Sequence, residues 1–190
     1  MREYEAVVFD MDGVIFDSEK KVVECWQVLA DKYGFAGIEE ACRACLGTTK
    51  EKSKEIMLQR YGEDFPYETY SAEASKLFHE RYDGGRLPKK TGIEKILQAL
   101  SQEGKKIALA SSTRRQTVES QLREAGLIGY FDKIICGDMV EKSKPEPDIY
   151  LYGAQAIGVA PQNCLALEDS YTGLLSAYRA GCMASIVPDL

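Results

Sequence analysis

Histidine is almost missing from this chain: His79 is the only one in 190 residues. It sits in a polar stretch that reads as exposed. Ser-His-Asp triads and multi-histidine metal sites are therefore all but excluded. Basic blocks are missing too. The chain carries 24 Lys+Arg against 30 Asp+Glu, a net charge of −6. That balance argues against nucleic acid or an anionic membrane as a partner. No apolar run approaches the roughly 20 residues needed to cross a bilayer. Residues Met1-Arg2-Glu3-Tyr4-Glu5 lead straight into an apolar strand with no secretory signal, so the expected location is cytoplasmic. There is no internal repeat and no low-complexity tract.

Six cysteines are scattered at 25, 42, 45, 136, 164 and 182. Without a secretion signal they read as reduced, small, buried hydrophobes. Cys42-Arg43-Ala44-Cys45 has redox-motif spacing, but it falls in a helical pattern without βαβ context, and a redox or metal role is discounted.

What is present is a series of apolar strands that end in polar residues. Ala6-Val7-Val8-Phe9 is the first, followed at once by Asp10-Met11-Asp12-Gly13-Val14. Two carboxylates beside a hydrophobic strand end disfavour each other's ionisation unless a cation is near. Taken alone, the segment reads equally well as an acidic Asp-Gly turn. Four more strands are expected, at 106–110, 133–136, 164–167 and 184–187. The second ends in Ser111-Ser112-Thr113, the third in Gly137-Asp138, and the fourth in Glu168-Asp169-Ser170. Helical patterns alternate with them. One carries Ile93, Ile96, Leu97 and Leu100; another carries Val118, Leu122 and Ala125. A third opens at Pro147 and stops at Gly158, and a fourth runs from Leu174 to Ala180. The alternation predicts an α/β fold with a doubly wound parallel sheet. In such sheets ligands bind outside the carboxyl ends of the strands. Lys142-Ser143-Lys144-Pro145-Glu146-Pro147 offers a cation to that crevice; by itself it reads more simply as a solvated basic turn.

Between the first two strands lies a stretch with no strand pattern. Val22, Cys25, Trp26, Leu29 and Tyr33 repeat at helical spacing, and further helices are expected near 39–46, 51–61 and 67–82. The aromatic stripe reads as the core of a small helical bundle. The expected division is a discontinuous core, 1–16 and 84–190, with a helical insert over 17–83 and a hinge at Gly84-Gly85.

These residues carry a family resemblance. Asp10-Met11-Asp12-Gly13-Val14, Ala108-Leu109-Ala110-Ser111-Ser112, Lys144-Pro145-Glu146-Pro147, and Leu167-Glu168-Asp169-Ser170 with Gly173 resemble the four ordered motifs of the haloacid dehalogenase-like (HAD) superfamily. The subgroup is the one that contains β-phosphoglucomutase and many small sugar-phosphate phosphatases. The match runs from about residue 5 to the C-terminus. The resemblance implies a Rossmann-like HAD core with the helical insert as its cap domain. It implies Asp10 as nucleophile, Asp12 as general acid and base, and Ser111 and Lys144 on the phosphoryl group. It implies Mg2+ held by Asp10, the backbone carbonyl of Asp12, and Asp169, with Glu168 in or near the shell. Ser112, Arg114, Thr49 and Lys50 are the implied substrate contacts, the last two on a specificity loop between cap helices. Lys50 reads equally as an exposed lysine at a helix start.

The cap bears on which member of the subgroup this is. The mutase places a histidine in its first cap helix, where this chain has Val22. The mutase loop carries basic residues on both sides of its glycine turn. Here those places hold Leu46 and Lys50, and lysine in place of arginine loses bidentate phosphate recognition. Arg114 retains a positive charge where the mutase has lysine. These departures favour a phosphatase. A catalytically silent binding protein would be expected to lack Asp10, Asp12, Lys144 or Asp169, and all four are present. The expected partner is a small phosphate ester, acted on by a monomer. Members of the family usually continue past the last strand with a further loop, helix and short strand, so a chain ending at Leu190 is expected to be either truncated or unusually short.

Overall fold

In the computed structural model, residues 3–46, 48 and 50–187 are described. The chain divides into two compact units, Met1–Asp17 with Leu87–Leu190, and Ser18–Arg86. In chain order, strand β1 (Ala6–Phe9) precedes helices α1 (Ser18–Tyr33), α2 (Ile38–Cys45), α3 (Lys50–Tyr61) and α4 (Tyr67–Tyr82). Then come α5 (Ile93–Gln102), β2 (Lys106–Ser111), α6 (Arg115–Glu124), β3 (Lys133–Cys136), α7 (Asp148–Ile157), β4 (Cys164–Glu168), α8 (Tyr171–Arg179) and β5 (Met183–Ile186). Among the described residues no helix is long and apolar enough to cross a membrane.

The strands form one parallel sheet in the order β3-β2-β1-β4-β5. The α/β doubly wound expectation holds. β1 and the Ile107–Ala110 stretch of β2 are uninterrupted apolar runs because a parallel sheet is covered on both faces. Ala6, Val8, Ala108, Ala110 and Ala166 pack with Ile149, Tyr150, Ala154 and Ala177. These small strand residues let α7 and α8 lie close on that face. The alternate residues Val7, Phe9, Ile107 and Leu109 point the other way and are equally buried.

Expected and observed boundaries differ at a few ends. β2 and β4 run one residue further, into Ser111 and Glu168, and β5 starts one residue earlier. Pro147 caps α7 rather than opening it. All six cysteines are free, and all but Cys45 are buried. Where the chain leaves and re-enters the sheet unit, its two passages are tied together. Asp17 N donates to Pro88 O at 2.9 Å, and Lys90 N donates to Ile15 O at 2.8 Å.

The helical unit has its own core of Trp26, Leu29, Ile38, Ala41, Met57, Tyr67 and Ala74. Trp26 stacks on Tyr67, and Tyr33 stacks on Tyr70 with ring centroids 4.4 Å apart. The aromatic stripe is thus spent on packing.

Candidate active site

The strand order reverses between β1 and β4, since the chain leaves β1 for β2 on one side and returns to β4 on the other. At such a switch point the loops diverge and leave a crevice. The carboxyl ends of β1 and β4 are locked there by Asp10 N donating to Leu167 O at 2.9 Å. Asp10, Asp12, Glu168 and Asp169 follow directly.

Lys144 crosses to this point from the loop before α7. Its side chain is only 7% exposed. The ammonium donates to Asp10 Oδ1 at 2.7 Å, to Ala110 O at 3.0 Å and to Glu168 Oε1 at 2.6 Å. Three donors meet three acceptors, so the cation's hydrogen-bonding capacity is filled. Lys144 is no solvated turn residue. Burial would lower its pKa, but the charges of Asp10 and Glu168 outweigh that and hold it above the usual lysine value.

One oxygen each from Asp10, Glu168 and Asp169 lie within 4.8 Å of one another. The donors are all carboxylates, with no nitrogen or sulfur, which suits a hard divalent cation of the Mg2+ or Ca2+ kind. Gly13 makes room for this cluster. It has φ +72°, and a Cβ there would fall 1.8 Å from Asp169 Oδ2. The Asp12 side chain is not in the acid cluster; its Oδ2 accepts from Thr113 Oγ1 at 3.1 Å.

Burial pushes the Asp10 carboxyl from 3.8 up to about 7, against the opposing pull of Lys144 and with the charges of Glu168 and Asp12 adding to the rise. A carboxyl that titrates higher folded than unfolded holds a proton the unfolded chain has already lost. Stability of the metal-free protein therefore falls as pH rises from about 4 to about 7. A divalent cation displaces that proton. Mg2+ is expected to raise the melting temperature more at about pH 7.5 than at about pH 5, read by scanning fluorimetry. Equal shifts at both pH values would contradict a protonated Asp10.

Ser111 is fully buried at the end of β2, and its Oγ accepts from Thr113 N at 3.1 Å, leaving the hydroxyl proton to donate. Ser112 and Arg114 are exposed on the loop into α6. Asp138 turns to that helix instead of to the acids, its Oδ1 accepting from Arg115 N at 3.1 Å. Lys50 begins α3 and pairs with Glu68 at 3.4 Å inside the helical unit. Thr49 lies outside the described residues. Two contacts went unread in the sequence, Thr113 on Asp12 and Tyr150 on Glu168. Thr113 stands in the polar run after β2, which was a usable signal. Tyr150 looks like any core aromatic of a helix.

Comparison with known proteins bears on this geometry. The sequence matches the haloacid dehalogenase-like hydrolase family over residues 7–187. It is 31% identical over 182 residues to the phosphorylated carbohydrates phosphatase of Thermotoga maritima, covering 93% of this chain and 82% of that one. It is 32% identical over 188 residues to the beta-phosphoglucomutase of Bacillus subtilis, covering 95% and 81%. Among solved structures, a HAD family hydrolase from Deinococcus radiodurans with bound phosphate and sodium superposes with a TM-score of 0.79 at 28% identity, covering 96% and 79%. With the sheet, the helical insert and the acids Asp10, Asp12, Glu168 and Asp169 inside the matched span, the chain belongs to the haloacid dehalogenase-like hydrolases.

Proposed function

We propose that this chain is a Mg2+-dependent phosphatase that hydrolyses the monoester of a small carbohydrate, a sugar or polyol phosphate, through an aspartyl-phosphate. The observation that carries the reading is the buried Lys144 ammonium shared by Asp10 and Glu168 beside Asp169. Asp10, the carbonyl of Asp12, Asp169 and Glu168 would hold the Mg2+. Its charge offsets the repulsion between an anionic phosphate and the Asp10 carboxylate.

In the first step an Asp10 oxygen forms a bond to phosphorus as the bond to the leaving oxygen breaks. Asp12 gives that oxygen its proton. In the second step Asp12 takes a proton from water, the resulting oxygen attacks phosphorus, and the Asp10–phosphorus bond breaks to free inorganic phosphate. Lys144 holds Oδ1 of Asp10, which fixes the carboxylate's rotation and adds positive charge for the transferring group. Thr113 holds Oδ2 of Asp12 and so orients the acid. Ser111 donates to a phosphoryl oxygen. Ser112 and Arg114 would contact the substrate, and Thr49 and Lys50 of the helical insert would select the leaving group.

The carbohydrate class is supported by the activity for which the Thermotoga relative is named. A panel of phosphate monoesters assayed with Mg2+ tests it: phosphate release is expected to be greatest for sugar and polyol phosphates and to vanish with excess EDTA. Release confined to non-carbohydrate esters would refute the substrate class. Interconversion of hexose 1- and 6-phosphates without net phosphate release would move the chain to the mutases.

A further inference from the structure

Tyr150 plays no part in the chemistry above, yet it touches it. The side chain is fully buried in the apolar cluster under β1, β2 and β4. Phenylalanine would fill the same space without a hydroxyl to satisfy, and a buried hydroxyl costs stability unless it is bonded. Here the phenol donates to Glu168 Oε1, the oxygen that also accepts from Lys144 at 2.6 Å. Glu168 is itself fully buried. Two donors converge on one of its oxygens, while the other, Oε2, accepts from the Ser170 hydroxyl at 3.4 Å. Behind the carboxylate the start of α8 comes so close that a Cβ on Gly173 would fall 2.0 Å from Oε2. Lys144 reaches Glu168 with one N–H alone, its other two going to Asp10 and Ala110.

We propose that Tyr150 is a positioning residue of the metal site. By holding Glu168 Oε1 it presets the carboxylate as a donor in one orientation, and so sharpens the site's preference for Mg2+ over larger cations. The inference rests on the reading that Asp10, Glu168 and Asp169 hold Mg2+. Its physical basis is that Mg2+ demands near-ideal octahedral geometry, whereas Ca2+ accepts six to eight oxygens in flexible arrangements. A loosened carboxylate should penalise the first ion far more than the second. Outer partners of metal ligands are commonly worth about 10- to 100-fold in metal affinity.

The test is Tyr150→Phe in the full chain, which keeps the ring and its place 5.3 Å from the Lys144 ammonium. Titration calorimetry with Mg2+ alone and with Ca2+ alone is expected to give a Kd about tenfold weaker for Mg2+ and within about threefold of wild type for Ca2+. The Mg2+ concentration for half-maximal phosphate release should rise in step, with kcat largely restored at saturating Mg2+. The Mg2+/Ca2+ ratio is read within one folded preparation, so a general loss of stability does not mimic it. Unchanged Mg2+ affinity, or an equal loss for both ions, overturns the proposal. Absence of divalent binding by the wild type overturns the metal reading beneath it. The expected ratio change in a protein that hydrolyses no carbohydrate phosphate would leave Tyr150 in its role and refute the substrate assignment alone.

Discussion

Lys144→Met is expected to abolish phosphate release and to destabilise the sheet unit by about 3–5 kcal/mol, the cost of removing one partner from a buried ion pair. Methionine preserves much of the aliphatic stem, so little packing is lost. What is lost is the ammonium that three acceptors share. Glu168, with no exposure to water, keeps its Tyr150 contact but loses its cation. Asp10 and Glu168 then face each other as uncompensated carboxylates, and the folded protein must take up protons or open. The deficit should therefore shrink as pH falls toward about 5, where protonation removes the repulsion. Urea denaturation at two pH values measures it. A variant within about 1 kcal/mol of wild type at neutral pH would mean that Lys144 is not electrostatically central.

Asp10→Asn should separate activity from stability. Phosphate release is expected to fall at least a thousandfold, to about the level left when a nucleophile is removed and only binding remains. Yet the metal-free variant should be as stable as wild type near neutral pH, or more so. The substitution removes a carboxyl that burial has pushed up to about 7, and with it the cost of keeping that charge buried. Stabilisation by Mg2+ should diminish in parallel, since one of the three clustered carboxylates is gone. The two measurements needed are steady-state phosphate release and melting with and without the ion. Residual turnover near the wild-type rate would rule out the aspartyl-phosphate route.

The opposite signs of these two stability effects come from one cluster, and they show what could be read from sequence. Asp10 and Asp169 were legible because each follows an apolar strand, and a parallel sheet brings its carboxyl ends to one edge. The helical insert was legible from period alone, through Cys25, Trp26, Leu29 and Tyr33. Lys144 was only half legible. Its segment reads as an exposed basic turn, and only the packing of α7 against β1, β2 and β3 carries it to Asp10 across a long sequence separation. Tyr150 was illegible for a related reason. Three residues after Pro147 it occupies a core position, and no local pattern distinguishes a phenol with a carboxylate partner from one more apolar ring. Asp138 erred in the other direction. It stands at a strand end like the site acids, but the nearest unsatisfied donor is the backbone of Arg115, and local capping claims it.

The tie between the two passages at Asp17–Pro88 and Ile15–Lys90 has a kinetic meaning. Pairing β1 with β2 requires the chain to close a loop that includes the whole segment from Ser18 to Arg86. A flexible segment of that length would make this closure slow, because the entropy of the open loop must be surrendered before any strand contact forms. If the helices α1 to α4 collapse first around Trp26 and Tyr67, the loop becomes a preformed bead whose ends need only meet. The order of assembly would then run from the insert to the sheet, and the acid cluster would be the last thing made. Helix signal should precede the recovery of phosphate release during refolding from urea.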